Sequence, residues 1–149
     1  MITRLEALAL IGNLPAIQET ETLALEACVG RVLAKDVIAK LTHPPAAMSA
    51  MDGYAVPFTD TLGAHPLHLV GEAAAGAPFE GRVGAGQCVR VFTGSVIPEG
   101  CTHVIIQEDV RREGDRVWIE APQKSARNIR QAGIDFHQGD ILLGAGLRI

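Results

Sequence analysis

The sequence predicts an α+β fold that is rich in β structure, and three observations support this prediction. The first forty residues combine one helical pattern with short apolar segments. From Ala50 onward glycine becomes frequent and the apolar segments become short, which is typical of strands joined by tight turns. In the last third of the chain, two apolar segments flank a Gly-Asp turn and predict a β-hairpin.

The composition indicates a packed protein without a basic surface. The chain has 149 residues, of which 48 % are hydrophobic and 20 % are charged, so we expect a packed core in one domain or two small ones. The net charge is −4, and no stretch is a run of lysine or arginine. Nucleic acids and anionic membranes are bound by concentrated positive charge. We therefore expect neither of these partners.

The cysteines indicate a reducing compartment. Cys28, Cys88 and Cys101 are far apart, odd in number and outside any Cys-x-x-Cys pair, which fits neither a disulfide framework nor a zinc knuckle. We expect buried, reduced thiols. No secretory signal follows the N-terminus, and no apolar run is long enough to cross a bilayer. The predicted location is the cytoplasm.

The first forty residues predict a short helix followed by mixed structure. Thr3 and Glu6 have the spacing of a capping box, in which a hydroxyl and a carboxylate each satisfy an amide at a helix start. The apolar spacing then predicts a helix over 5–11, ended by Gly12. The following patterns predict a strand at 21–26, a helical turn at 27–33 and a second apolar segment at 32–38.

The later part of the chain predicts short strands and tight turns. Strands are expected at 67–70, 87–92, 103–110 and 141–143. The clearest pattern is a hairpin with its tip at 112–115 and its second arm at 116–120. The glycine- and alanine-rich passage at 71–78 lacks the nucleotide-phosphate motifs G-x-G-x-x-G and G-K-[ST]. Its small residues indicate a close approach of backbones instead.

The loop Ser49–Val56 is the segment around which the chain is organised. It follows the stiff entry 42–45, which contains two prolines, and it includes an Asp-Gly pair that permits a sharp reversal. We expect positive φ at this reversal and a single carboxylate, Asp52, at the tip of an otherwise apolar turn. An isolated Asp-Gly pair is more often a plain turn.

Three polar residues beside glycine-containing turns are candidates for chemistry, namely Asp52, Thr93 and Asp135. If they converge, two carboxylates and a hydroxyl can position a water, bind a hydrated cation or hold an oxyanion on the backbone amides of 93–95. If they do not converge, each is a turn or capping residue. No serine or cysteine has a histidine at the spacing of a known nucleophile motif.

Two arginines and two histidines complete the set of candidates. Arg127 and Arg130 flank a segment that fits phosphate binding, although solvated surface arginines are an equally good interpretation. His65 and His68 are spaced like a weak metal-ligand pair. The proline between them and the lack of a third ligand nearby argue against zinc.

Five ordered pieces of the sequence resemble the MoeA/gephyrin E-domain family, the molybdopterin molybdenumtransferases. The central piece, Ser49–Val56, matches the family signature S-A-M-D-G-Y-A-V. The other four are similar to the G-R-[VIL]-L-A-x-D, G-x-x-x-A-G, T-G-x-x-[VIL]-P-x-G and N-[VI]-R-x-x-G-E-D segments, at 29–37, 71–76, 91–100 (followed by 104–108) and 128–135. A single short piece is weak support, but the five together are strong.

The resemblance implies a two-part architecture. Both ends of the chain, 1–45 and 127–149, would form an elongated mixed α/β domain used for dimerisation. Residues 46–126 would form an inserted β-rich hemi-barrel. The composition changes near Pro44 and Pro122 agree with these boundaries. Because the chain stops on Leu147-Arg148-Ile149, directly after a strand-like run, we expect it to be a piece of a longer protein.

The resemblance also implies a function, insertion of molybdate into adenylylated molybdopterin by the full-length protein with Mg²⁺. The implied catalytic residues are Asp52, Thr93 and Asp135, and the implied cofactor-binding residues are Ser95 and Arg130. No metal ligand is identified. The cofactor would lie mainly on a separate Rossmann-like domain, and the loops of this chain would reach the site from the partner subunit of a homodimer. We expect this chain alone to be inactive and to bind no cofactor.

Two departures from the family pattern leave a second function open. Met48 stands where the family usually has Asn, and Ile134 stands where it usually has Glu. Loss of a carboxylate beside Asp135 removes a charge from any cation or oxyanion site there. The alternative is therefore a non-catalytic dimerisation or scaffold module of the same fold. A third and weaker possibility is a stand-alone hydrolase that uses Asp52 and Asp135.

Overall fold

The structure is a computed structural model that describes residues 2–15, 19–63, 65–121 and 123–149. In these ranges the chain is mostly β with a single α-helix. It forms two compact units, Met1–Val37 with Leu143–Ile149, and Ile38–Leu142. The predicted domain boundaries near residues 45 and 127 stay a prediction. No helix within the described ranges has the length and hydrophobicity needed to cross a bilayer.

The first unit begins with the predicted capping box. Helix α1 spans Arg4–Gly12. The Glu6 amide donates to the Thr3 hydroxyl at 3.2 Å, and the Thr3 amide donates to the Glu6 carboxylate at 2.7 Å. These bonds satisfy two of the donors that a helix start leaves open. The sequence prediction of the helix and of its cap is confirmed.

The predicted strand at 21–26 is wrong, and the predicted helical turn lies earlier than expected. Residues 21–24 have no regular structure, and Leu25–Ala27 form a 3₁₀ helix. The apolar alternation is present, but a strand also needs a neighbour to pair with its backbone. The Ala24 carbonyl instead accepts the Ala27 amide at 3.0 Å, which is the contact of a local turn. Of the apolar segment 32–38, only β1 (Val37–Ile38) is a strand, and it pairs with β10 (Ile141–Leu143).

The second unit is built on a curled six-stranded sheet that forms a half-barrel, as the family resemblance implies. Its strand order is β6-β3-β5-β4-β8-β7. All neighbouring pairs are antiparallel except β4 and β5. The strands are β3 (Gly53–Val56), β4 (Leu67–Ala73), β5 (Gln87–Val91), β6 (His103–Ile106), β7 (Val110–Glu113) and β8 (Arg116–Ile119).

Strand β3 is buried on both faces of this sheet. Tyr54 and Val56 belong to one hydrophobic cluster, and Ala55 belongs to the other. Side chains alternate between faces along a strand, so a strand with every residue buried must have apolar packing on each side. This packing fixes the segment that directly follows Asp52.

The hairpin prediction is confirmed, but the preceding strand is shorter than predicted. Strands β7 and β8 pair with Glu113 opposite Arg116, so the turn lies at 114–115. The predicted strand 103–110 is interrupted, because Gln107–Asp109 form a 3₁₀ helix between β6 and β7. The Gln107 amide donates to the Asp52 carbonyl at 3.1 Å. The chain thus leaves the sheet at the position where it meets the Asp52 loop.

Candidate functional site

The site is built on hydrogen bonds between the loop 49–52 and the turn 92–95. Strand β2 (Met48–Ser49) precedes the loop and pairs with β9 (Ile129–Arg130). The Ser49 amide donates to the Ser95 carbonyl, and the Gly94 amide donates to the Ser49 carbonyl, each at 2.9 Å. The buried Ser49 hydroxyl closes the loop by donating to the Met51 carbonyl at 2.6 Å. Three distant parts of the sequence therefore hold one another at this point.

Gly53 is required for a different reason from the one that the sequence predicted. Its φ lies outside the left-handed region, so the expected positive φ at this glycine is wrong. A Cβ at this position would lie 2.0 Å from the Ile105 carbonyl oxygen. Strands β3 and β6 approach each other too closely here for any side chain. Glycine thus allows the loop to enter the sheet directly after Asp52.

Asp52 and Thr93 form a direct pair. The Thr93 amide and hydroxyl donate to the same oxygen of Asp52, Oδ1, at 2.7 and 2.8 Å. The amide bond is the largest cause that lowers the pKa of Asp52, the hydroxyl bond is the second, and the charge of Arg90 adds to them. Because hydrogen bonds to a carboxylate favour its charged form, Asp52 is ionised at neutral pH. Its other oxygen, Oδ2, accepts no hydrogen bond from the described residues.

Asp135 and Arg130 form a second pair. Arg130 Nη2 donates to both oxygens of Asp135, at 3.0 and 3.2 Å. The Asp135 amide donates to the His43 carbonyl at 3.1 Å, and the His43 ring nitrogen Nε2 lies 3.7 Å from Asp135 Oδ2. Gly133, with φ +71°, makes the turn that returns the chain to Arg130. Asp135 therefore orients a guanidinium group and partly neutralises it.

A cavity of about 210 Å³ connects the two pairs. Thr93 and Arg130 both line it, and each of them holds one of the two predicted carboxylates. Asp52 and Asp135 are not in the wall themselves. The full lining is His43, Pro44, Met48, Ser49, Ala50, Thr93, Gly94 and Arg130. The structure thus brings the predicted residues to one cavity as two pairs, not as a triad.

The structure contradicts the expected oxyanion site on the amides of 93–95. The Thr93 amide donates to Asp52, the Gly94 amide to Ser49, and the Ser95 amide to the Phe92 carbonyl at 2.9 Å. All three donors already have protein acceptors, so no anion-binding nest is formed. Ser95 is fully buried, and its hydroxyl has no partner among the described residues. A cofactor-binding role of Ser95 stays a prediction without support from its position.

The remaining candidates lie apart from the cavity or carry other contacts. Arg127 pairs with Asp109 at 3.6 Å, and His68 lies 3.4 Å from Asp115. Within the described ranges, no three His, Cys, Asp or Glu side chains gather as metal ligands.

Sequence reasoning missed two contributors to the site. The sequence indicates His43 only as part of the stiff entry 42–45, and no sequence spacing links it to Asp135. Asn128, with φ +67°, donates its side-chain amide to the Val104 carbonyl at 2.8 Å and so fixes the start of β9. Asparagine is among the residues that tolerate the left-handed region. The sequence signal for this role is the position of Asn128 directly before Ile129 and Arg130.

Comparison with known proteins agrees with this architecture. Residues 2–149 match the family model described as MoeA N-terminal region, domains I and II. A molybdopterin molybdenumtransferase from Haemophilus influenzae is 37 % identical over 142 residues, and one from Nostoc sp. is 35 % identical over 145 residues. The alignments cover 94 % of this chain in both cases, and 35 % and 33 % of the relatives. The chain thus spans about a third of the length of these relatives.

A solved structure shows the same fold. The crystal structure of the molybdopterin biosynthesis moeA protein from Pyrococcus horikoshii superposes with a TM-score of 0.81 at 36 % sequence identity. The match covers 89 % of this chain and 36 % of that one. The family model, the two relatives and the solved structure all agree, and the chain therefore belongs to the MoeA N-terminal region family.

Proposed function

We propose that this chain is the N-terminal region of a molybdenum insertase of molybdenum cofactor biosynthesis. In this proposal it supplies part of the site at which molybdate enters adenylylated molybdopterin. The observation that carries the proposal is the ionised Asp52 carboxylate, which Thr93 holds beside a cavity. Family membership supports the reaction class, and the cavity supports the location of the site.

Each pair at the cavity has a distinct role in the proposal. Asp52 orients a water or accepts a proton when the adenylate is released, since an ionised carboxylate with one unshared oxygen is suited to both tasks. Thr93 positions Asp52. Arg130 presents its guanidinium to the anionic substrate, and Asp135 keeps that group in a fixed orientation. Molybdate and the phosphates of the adenylylated pterin are the anions that such a cation attracts.

Magnesium enters this proposal only through the family resemblance. Mg²⁺ prefers octahedral oxygen ligands and is usually held by one or two carboxylates, waters and substrate phosphates. Both oxygens of Asp135 already accept from Arg130, and the described ranges contain no cluster of three ligands. The residues that the structure describes do not fit a complete magnesium site. No step is therefore assigned to the ion.

The rest of the active site would come from another part of the full protein. The relatives are about three times as long as this chain, and a cavity of about 210 Å³ is smaller than typical cofactor pockets. We propose that a Rossmann-like domain carries most of the pterin, and that a homodimer brings the loops of one subunit over the pterin of the other.

The first test is molybdenum insertion by the full-length protein with Asp52→Ala. We expect this variant to lose most of its activity, about a hundredfold or more, the range over which general acid–base groups contribute. Asp115→Ala is the matched control, because Asp115 is an exposed aspartate of the hairpin turn outside the cavity. Wild-type rates in Asp52→Ala would remove Asp52 from the mechanism.

A non-catalytic dimerisation or scaffold module is the second candidate, and Ile134 favours it. This apolar side chain is 59 % exposed beside Asp135, where the family usually has a carboxylate. A site under no chemical demand tolerates such a change. A wild-type full-length protein that assembles normally but inserts no molybdenum would favour the scaffold. Insertion by the wild type together with loss in Asp52→Ala would favour the enzyme.

A further inference from the structure

A buried histidine lies outside the site but within a few residues of it along a hydrogen-bonded path. His103 begins β6, is fully buried and has the Phe58 ring against its edge, with the two ring centres 5.6 Å apart. A histidine in an apolar interior needs partners for both ring nitrogens. Those partners come from the segment 123–127, which leads to Arg130.

The partners fix the tautomer of His103. The Gln123 amide nitrogen Nε2 points at two acceptors, the Ala121 carbonyl at 2.9 Å and Asp109 Oδ2 at 3.3 Å. Its oxygen Oε1 must then face the ring nitrogen Nε2 of His103, at 3.0 Å. Because that oxygen only accepts, the His103 Nε2 atom carries the proton. The other ring nitrogen, Nδ1, has a lone pair.

That lone pair holds the backbone of Arg127. The Arg127 amide donates to His103 Nδ1 at 3.0 Å. The Arg127 carbonyl, which accepts the Val104 amide at 3.2 Å, lies 3.2 Å from the same ring nitrogen. A proton on Nδ1 would leave the Arg127 amide without its acceptor, since two donors cannot share one bond. The ring would then turn its new donor to the Arg127 carbonyl.

A continuous ladder leads from this contact to the cavity. After Arg127, the Asn128 carbonyl accepts the Ala50 amide at 2.9 Å. The next two residues form β9, in which Arg130 lies opposite Met48. Arg130 and Ala50 both line the cavity. Backbone hydrogen bonds therefore connect the contact between His103 and Arg127 to the site arginine.

We propose that neutral His103 is a positioning residue that holds the backbone of Arg127 in place, and that its protonation frees the Arg127 amide from its acceptor and so loosens the segment 123–130. The contact acts on Arg130 through the backbone and not by touching a substrate. Its consequence for molybdenum insertion rests on the proposed function. The contact between His103 and the Arg127 amide, and its loss on protonation, do not depend on the proposed function.

The charged groups around His103 favour the neutral ring. Burial is the main cause that lowers the pKa of His103, and the positive charge of Arg127 lowers it further. The hydrogen bond to Gln123 and the Arg127 carbonyl, which would accept from a protonated Nδ1, oppose these effects and raise the pKa. The carboxylate of Asp109 is turned to Gln123 and to the Arg127 guanidinium, at 3.3 and 3.6 Å. The ring is therefore neutral at pH 7 and protonates only below its usual range.

Two substitutions distinguish the roles of the two ring nitrogens of His103. His103→Asn places an amide oxygen near the position of Nδ1, so it keeps an acceptor for Arg127 but does not titrate. His103→Gln places its amide near the position of Nε2, so it keeps a partner for Gln123 and removes that acceptor. His68→Gln, at an exposed histidine of β4 in the same sheet, is the control.

The test is amide hydrogen exchange followed by mass spectrometry on the full-length protein, corrected for intrinsic exchange rates. At pH 7.5 we expect peptides over 124–130 and 48–52 to exchange about tenfold faster in His103→Gln than in His103→Asn, from the loss of a buried hydrogen bond. The hairpin β7–β8 should be unchanged in both. Equal protection of these peptides in the two variants would overturn the positioning role.

A second experiment follows the pH dependence of the wild type. It remains informative if a His103 variant fails to fold. Between pH 8 and pH 5, protection of 124–130 should fall in the wild type and in His68→Gln, and stay constant in His103→Asn. The same pH dependence in His103→Asn, or none in the wild type, would contradict release by protonation. Because neither experiment measures activity, both outcomes are independent of whether the full protein inserts molybdenum.

Discussion

At the scale of single residues, the charge of Asp52 is set by a residue that is distant in the sequence. Thr93 donates two hydrogen bonds to one carboxylate oxygen, and these bonds lower the pKa of Asp52. A carboxyl group whose pKa is lowered by folding stabilises the folded state above its unfolded pKa of about 3.9. This contribution is lost as the pH falls through the folded pKa. The Asp52–Thr93 contact is thus both a site feature and an acid-sensitive one.

Removal of the Thr93 hydroxyl should raise the pKa of Asp52. In Thr93→Ala the backbone amide still donates, so we expect only part of the shift to disappear, while Thr93→Ser should keep the native value. The carboxyl carbon of Asp52 can be followed by NMR from about pH 6 to about pH 2, a range that brackets the ordinary aspartate pKa. Identical titrations in Ala and Ser variants would show that the hydroxyl bond does not form.

The sequence could identify the candidate residues but not their contacts. Asp52, Thr93 and Asp135 were found from turns and motif pieces, and the pairing of Asp52 with Thr93 follows only from the fold. The occupied amide of Ser95 and the approach of His43 to Asp135 were not predictable. In each case the partner comes from another segment, and no local pattern records which donors are already used.

At the scale of elements, Gly53 decides whether the Asp52 loop can join the sheet. Strand β3 is central, paired with β5 on one side and β6 on the other. The absent side chain of Gly53 lets the Ile105 carbonyl approach the backbone. The strand that carries the loop is thereby fixed by pairing on both edges and by apolar packing on both faces.

We expect Gly53→Ala to destabilise the second unit strongly. A new Cβ would lie 2.0 Å from a backbone oxygen that cannot rotate away, so the cost should reach or exceed about 1–3 kcal/mol, the range for overpacked cores. Gly63→Ala is the control, because the nearest atom to its Cβ would be 3.9 Å away and its φ is −93°. Urea denaturation of both variants measures the difference. An equal midpoint for the two would contradict the close approach.

The elements that the sequence predicted well are those whose hydrogen-bond partners lie nearby in the sequence. Hairpin β7–β8 pairs with itself across a Gly-Asp turn, and α1 carries its own capping box. The segment 21–26 alternates like a strand but pairs with no strand of the described ranges. The break between β6 and β7 was missed because it arises where the Gln107 amide turns to Asp52.

At the scale of the whole molecule, this chain supplies only part of the proposed active site of the full-length protein. It spans about a third of the length of its relatives. The proposal takes the Asp52 carboxylate and the Arg130 guanidinium group from this chain and assigns the pterin mainly to another domain. The two-domain boundaries and the homodimer remain predictions at this scale.

The 149-residue chain alone should insert no molybdenum. The proposal places most of the cofactor contacts outside this region, so the Asp52 pair has no substrate to act on. Purified chain can be incubated with adenylylated molybdopterin and molybdate, and cofactor formation measured by activation of an apo-molybdoenzyme. Turnover comparable to that of the full-length protein would show that the site is complete here and would favour a stand-alone enzyme.

The most direct test of the account is a double-mutant cycle on Asp52 and Thr93 in the full-length protein, read as the rate of molybdenum insertion. If Thr93 acts by holding Asp52, then Asp52→Asn and the double variant should be strongly impaired, Thr93→Val should be partly impaired because its backbone amide still donates, and the double variant should be no slower than Asp52→Asn alone. Thr93→Ser should stay close to the wild type. Losses that multiply in the double variant, or full activity in Asp52→Asn, would contradict the claim that this pair forms part of the insertion site.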